Sequence, residues 1–330
     1  MISYAWCERL DDEDLAEAEK LVTEAAEYDA EAGFTTIDPR LVHAGSGPGH
    51  TVRHLPVKAR RELSIRPDAP VVMVAYLHLS IDEHGQGSAA LVVHPRYRSR
   101  GVATSLVEEL GLEVSARDGW CGTGATSLRG WAFGSHPASE RLTRRFGVRP
   151  VARLWTVLRH LSGPMAVPLT VDDGPGDVSI AAHDLADPAT AKRVTDVLAR
   201  GGLTKSQFEQ FSAEFADRSG GVLLATGPDG CDVGFVWFDP SQRIHLELRT
   251  ARVHALVLDT AARGGGLGAR LLTRALTELA AEGAQVAQMR VDPDNEGALR
   301  MLRLLSFEQE DAHACYQIGE WIDPPLFPRG

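Results

Sequence analysis

Apolar and polar positions along this chain follow helix and strand rhythms that recur in its second half. From Asp11 to Glu27 apolar residues return at helical spacing, with Leu15, Ala18, Leu21 and Val22 on one side and Asp11 or Asp12 placed to cap the first turn. A polar, glycine-containing stretch runs from His43 to His54. VVMVAYLHLS (71–80) then predicts a strand rich in β-branched residues, 82–87 a turn, and 89–93 the next strand. A helix begins near Gly101, SLRGWAFGS (127–135) is strand-like, 138–146 suggest a short helix, and ARLWTVLRHL (152–161) predicts a closing strand. Residues 161–176, rich in proline and ending in acidic and glycine breakers, read as a linker. Beyond it the order returns: helices around 187–199 and 204–217, strands GVLLATG, DVGFVWF and ARVHALVLD, a helix over 266–282, strand VAQMRV, a helix over 295–305 and a last strand, ACYQI. The pattern predicts an α/β (α+β) fold in two domains, 1–160 and 177–330.

One motif occurs at the same place in both halves. Arg98-x-x-Gly101-x-Ala103 and Arg263-x-x-Gly266-x-Gly268 lie 165 residues apart, each after a short apolar run (Leu91, Val92, Val93; Leu256, Val257, Leu258) and before a helix. A strand that ends in bare backbone amides and feeds a helix N-terminus makes an anion site. The first-turn N–H groups lack intrahelical acceptors and the helix dipole adds partial positive charge. Glycine allows close approach of a pyrophosphate, which suits Gly264, Gly265 and Gly266. A dinucleotide-binding turn would come earlier in its unit, with an acid about 20 residues on, so the late placement argues against that fold.

Composition narrows the field. At 330 residues the chain is long enough for two cores, 44% of it is hydrophobic, and no window approaches a membrane span. The acidic N-terminus lacks an apolar signal core, and four widely spaced cysteines form no CxxC pair, so a cytoplasmic protein with reduced thiols and no metal is expected. A net charge of −11 speaks against nucleic acid as a partner. Lysine occupies only four of 34 basic positions, a bias of high-GC bacterial genomes.

With these residues the chain resembles the GNAT superfamily of acetyl-CoA-dependent N-acetyltransferases, and DPDNEGALRMLRLLSFEQ (292–309) is similar to that family's second conserved element. Over nearly its whole length it looks like the mycothiol synthases, tandem GNAT enzymes that acetylate the cysteinyl amine of cysteinyl-glucosaminyl-inositol. The resemblance implies two tandem domains, each a mixed, mostly antiparallel twisted sheet flanked by helices, with the C-terminal one catalytic and the chain a monomer or weak homodimer. It implies acetyl-CoA contacts at Leu256, Val257, Leu258, Arg263, Gly264, Gly265, Gly266, Leu267, Gly268, Ala269, Asn295, Ala298 and Arg300. In the first half these fall on Leu91, Val92, Val93, Arg98, Ser99, Arg100, Gly101, Val102, Ala103 and Thr104.

The acceptor side departs from that pattern. The family's glutamate base aligns with Arg252, its tyrosine acid with Leu302, a substrate-binding lysine with Asp239, and an acceptor-contacting glutamate near Ala199. His254 shares a strand face with Arg252 and is the candidate replacement base; a half-buried structural histidine is the alternative. Tyr316 on the last strand is a candidate proton donor to the thiolate, against a role in the core. Glu247 is expected in or before the same strand, Cys315 as a small buried residue, His94 as a shaper of the loop, and Trp155 and Trp237 as packing residues. The resemblance implies a small-molecule primary amine as acceptor, with an antibiotic, a polyamine or a protein amine as other choices and a non-catalytic acyl-CoA sensor as the rival class.

Overall fold

The computed structural model describes residues 2–31, 37–66, 68–134, 137–170, 177–216 and 220–326. In the first half the chain forms β1 (Ile2–Tyr4), α1 (Asp12–Glu31), β2 (His50–Arg60), β3 (Val71–Asp82), β4 (Gln86–Val93), α2 (Val102–Leu110), β5 (Ser127–Ala132), α3 (Pro137–Arg145) and β6 (Pro150–His160). The second half forms β7 (Ser179–Asp184), α4 (Pro188–Arg200), α5 (Lys205–Ala216), β8 (Gly221–Thr226), β9 (Asp232–His245), β10 (Leu248–Leu258), α6 (Leu267–Ala281), β11 (Val286–Val291), α7 (Glu296–Leu304) and β12 (Glu308–Ile318). Among the described residues no helix is long and apolar enough to cross a membrane.

Two compact units result, and they do not follow the expected boundaries. One comprises Met1–Arg153 with His313–Gly330, the other Leu154–Ala312. The first unit's sheet runs β1-β2-β3-β4-β5 and is completed by the end of β12, where Ala314 to Ile318 pair antiparallel with Ala132 to Leu128. The second unit's sheet runs β6-β11-β10-β9-β8-β7, and β6 pairs antiparallel with β11 from His160–Val286 to Trp155–Val291. ARLWTVLRHL therefore closes the second unit and ACYQI the first, the reverse of the sequence expectation. Apolar alternation marks a strand but does not name its partner. Of the expected linker, 161–170 is irregular chain anchored by Leu161 N–H donating to the Gln285 carbonyl (2.8 Å), and 171–176 lie outside the described residues.

Helices cover both faces of each sheet. In the first unit, α2 packs Val102 and Leu106 with Leu55, Val57, Val74 and Leu79, while α1 packs Leu21, Val22 and Ala25 with Met73, Tyr76 and Val92 on the other side. Asp11 caps α1 as anticipated, accepting from Asp14 N–H at 2.8 Å. In the second unit, α6 lays Leu271, Leu272, Leu276 and Leu279 on Val236, Ala251, Val253 and Met289. On the opposite face, α4 sets Val194, Val197 and Leu198 against Val222, Phe235, Trp237 and Ala255.

Three strands escape the sequence reading: β1, β7 and β2, the last of which overlaps the stretch taken as polar. β2 is buried on both faces, so it lacks clean alternation. Its His54 is 1% exposed, with ring nitrogens meeting Tyr76 Oη at 2.6 Å and the Ala44 carbonyl at 3.0 Å.

Candidate functional site

Among the described residues each sheet contains one parallel pair, and each such pair comes apart. β4 and β5 are registered from Gln86–Ser127 to Ser88–Arg129, although β4 continues to Val93 and β5 to Ala132. β10 and β11 are registered from Thr250–Val286 to Val253–Met289, while the strands run on to Leu258 and Val291. Beyond each split, the alternate amides of β4 and β10 that would have bonded the parallel neighbour face a wedge. The wedges begin beside Leu91–Val93 and Leu256–Leu258, the segments singled out from the sequence.

At the wide end of each wedge the loops superpose in backbone geometry. Gly101 (φ 83°, ψ 2°) caps α2 and Gly266 (φ 81°, ψ −4°) caps α6, both left-handed. Ser99 and Gly264, at the same offset, also have positive φ (59° and 84°). A short 3₁₀ turn precedes each: His94 Nδ1 accepts from Arg96 N–H (3.2 Å), and Asp259 Oδ1 from Ala261 N–H (3.0 Å). His94 thus shapes its loop as expected, and accepting from the Ala261 amide, with Arg200 beside it, holds Asp259 below the usual carboxylate range. Gly265 has no positive φ, and a Cβ there would meet nothing within 4 Å. Neither the backbone nor the packing of the fold requires a glycine there. A Cβ on Gly268 would come within 3.2 Å of Met301 Sδ, so that glycine serves the packing of α6 on α7.

The motif arginines brace the loops. Arg98 makes a two-pronged ion pair with the buried Asp29 of α1 (Nη2 to Oδ2 2.9 Å) and donates from Nε to the Val93 carbonyl at 3.0 Å. Arg263 donates to the Gly201 carbonyl just beyond α4. Their guanidinium groups are engaged by the protein itself, which moves the expected rim charge inward. Arg100 lies over the Tyr97 ring, 5.8 Å from its centroid.

A cavity of about 680 Å³ opens in the first unit, bordered by Ala90 to Val93, by Arg98, Ser99 and Gly101 to Thr104, and by Trp131, Phe133 and Leu142. Arg141, Arg144 and Arg145 of α3 also line it, and the sequence reading missed them. Their signal was present: the R-x-x-R of Arg141 and Arg144 recurs as Arg300 and Arg303 of α7, which border a second cavity of about 510 Å³. Asn295 caps α7 by accepting from Ala298 N–H at 3.1 Å, and Ala298 packs on the second unit's core.

The second wedge has a distinct inner end. On β10, Ala251 and Val253 face α6, Ala255 and Val257 face α4, and Leu256 and Leu258 face α6 again. The pairing with β9 slips between Val253 and Ala255, so His254 is the extra residue of a β-bulge. Its ring lies against Trp237, centroids 4.5 Å apart. β4 pairs with β3 without a slip. Arg252 and Asp239, two of the departures noted above, are cross-strand partners and so form one altered pair. Leu302 is a core residue, 2% exposed, and Ala199 is exposed on α4. Tyr316 pairs with Gly130 in the first unit, whereas His254 belongs to the second, so the two candidate catalytic side chains do not share a unit. Glu247 sits in the β9–β10 turn with φ 66°, Trp237 and Cys315 are buried as expected, and Trp155 packs against the core.

Residues 193–307 match the acetyltransferase (GNAT) family. The second unit carries a GNAT acetyltransferase domain. The chain is 28% identical over 323 residues to a mycothiol acetyltransferase of Salinispora tropica, covering 94% of this chain and 95% of the relative. It is 29% identical to another from Saccharomonospora viridis, over 97% of this chain and 100% of the relative. Two solved structures share the fold across both units. A GCN5-related N-acetyltransferase from Sphaerobacter thermophilus has TM-score 0.62 and 18% identity, covering 97% of each chain. A tandem GNAT protein from the clavulanic acid biosynthesis pathway has TM-score 0.59 and 17% identity, covering 96% of this chain and 98% of that one. The tandem GNAT fold expected from the doubled motif is the fold found.

Proposed function

We propose that this chain transfers acetyl from acetyl-CoA to a primary amine of a small molecule, with an acetyl-CoA cradle in each unit and the reaction in the second. One observation carries the reading: a split parallel pair leading to a left-handed glycine cap, built twice with the same dihedral angles. The loop amides and the α6 and α2 N-termini suit a pyrophosphate, and the freed amides past Val253 and Ser88 suit an amide-bearing pantetheine arm. In the second unit the neutral amine attacks the thioester carbonyl. An alternate β10 amide beyond the split polarises that carbonyl and steadies the oxyanion. The C–N bond forms, the C–S bond breaks, CoA leaves as thiolate, and the ammonium proton passes to His254, directly or through water.

The relatives' name makes the cysteinyl amine of cysteinyl-glucosaminyl-inositol the first acceptor to try. The inverted Arg252–Asp239 pair favours a different acceptor as the second reading. Both readings place the enzyme in the cytoplasm. The test is thiol release from acetyl-CoA with that compound, spermidine, an aminoglycoside and a lysine peptide. Saturable release with one of them is expected, and His254→Ala should lower kcat roughly 100-fold with the KM for acetyl-CoA unchanged. Absence of release with every amine would leave an acyl-CoA sensor.

A further inference from the structure

The face of the second sheet that carries His254 is a polar floor at the point where β10 and β11 part. Val157, Val253, Ala287 and Met289 all face α6, so their neighbours Thr156, Arg252, Gln288 and Arg290 face the other way. Gln288 is the cross-strand partner of Arg252, one residue before the last registered pair. Onto this floor comes Glu310, from the start of β12. Gln288 Nε2 donates to Glu310 Oε2 at 2.6 Å, and Oε1 is paired with His245 Nε2. The Glu310 side chain is 16% exposed and that of His245 39%. Beside it, burial lifts the Asp311 carboxyl above its ordinary range, with Glu310 adding to the rise and Arg290 opposing it.

A carboxylate held mostly out of water at two points needs a reason, because burial of a charge is costly. Strand spacing sets the scale: Gln288 stands about 5 Å from Arg252 across the ladder, and His254 lies about 7 Å further along β10. An amine acceptor arrives as an ammonium ion, and Arg252 and Arg290 repel it. Resting on the reading of this unit as the reaction site, we infer that Glu310 is the anionic anchor that docks protonated small-molecule amines beside His254, and that His245 and Gln288 hold it in place. Glu310 selects the acceptor; the docked ammonium first gives one proton to water to become the neutral nucleophile, and the second, released on attack, passes to His254.

The test compares two acceptor classes with wild type and Glu310→Gln, which keeps the side chain's size and removes its charge. With the best ammonium acceptor of the panel, KM should rise tenfold or more, while kcat and the KM for acetyl-CoA change less than twofold. With an arylamine, neutral at the assay pH, the KM should not change. A Glu310→Asp variant should recover part of the loss. An unchanged KM for the ammonium acceptor, or an equal rise for both classes, overturns the anchor and leaves the acetyltransferase reading standing. If wild type acetylates no amine, that reading falls and takes the anchor with it.

Discussion

The two loops that end β4 and β10 share a backbone and differ in almost everything that holds it. In the first unit, α1 offers acids: Asp29 grips Arg98 and Glu24 meets His94, Nε2 to Oε2 at 3.0 Å. In the second unit the polarity is reversed. Arg200, at the end of α4, donates to Asp259 (2.8 Å) and to the Asp232 carbonyl (2.6 Å), and Arg263 reaches the bare carbonyl of Gly201. Positions 94 and 259 match, the loop dihedrals match, and the bracing charges do not. Geometry preserved by unlike means points to the backbone as the functional part, with side chains as its interchangeable supports.

Removing the braces should separate the units most. Arg98→Ala strands the buried Asp29 carboxylate and should destabilise the first unit by about 3–5 kcal/mol. Arg263→Ala removes a hydrogen bond to a carbonyl and should cost about 2 kcal/mol. Urea unfolding of the two variants measures the difference, and equal losses would mean that Asp29 is not held as described.

A smaller separation should appear with pH. The strand position beside Ala90 holds His78, and the matching position beside Ala255 holds Trp237. His78 is 4% exposed, burial pushes it down to about 4, and nearby His54 pushes it the same way. In the unfolded chain it takes a proton near pH 6.5. The unfolded state therefore binds protons first as pH falls, and stability is lost between about pH 6.5 and 4, by on the order of 3 kcal/mol. Burial also lowers His54, so it contributes in the same sense. Unfolding free energies measured at pH 7, 5.5 and 4 should show this slope, and His78→Leu should flatten it. A slope untouched by His78→Leu would place the titration elsewhere.

The contrast also separates what could be read in the sequence from what could not. The loops were legible because their requirements are local: a left-handed cap at Gly101 or Gly266, and a turn opened by His94 or Asp259. The helices α2, α4, α6 and α7 were legible from apolar period and caps, and Val286–Val291 from its β-branched ends. The exchange of β6 and β12 was not, because Leu154, Val157 and Cys315 are buried in either pairing. The same exchange puts Tyr316 in the first unit and leaves His254 in the second. The bulge at His254 was also hidden, since ALVL after it is an unbroken apolar run that shows no change of phase, and only the pairing with β9 reveals the extra residue. Glu310 was missed because it lies in a charged run, EQED, that reads as solvated surface until Gln288 and His245 are seen to hold it.

The claim that both units cradle acetyl-CoA and only the second turns it over is tested most directly by acetyl-CoA titration calorimetry, with turnover measured on the same samples, for Gly101→Glu and Gly266→Glu. Each substitution puts an anion and a β-carbon where the left-handed cap faces the wedge. The account predicts two equivalents bound by wild type and one by each variant, with turnover kept in Gly101→Glu and lost in Gly266→Glu. Turnover surviving in Gly266→Glu and lost in Gly101→Glu would contradict it.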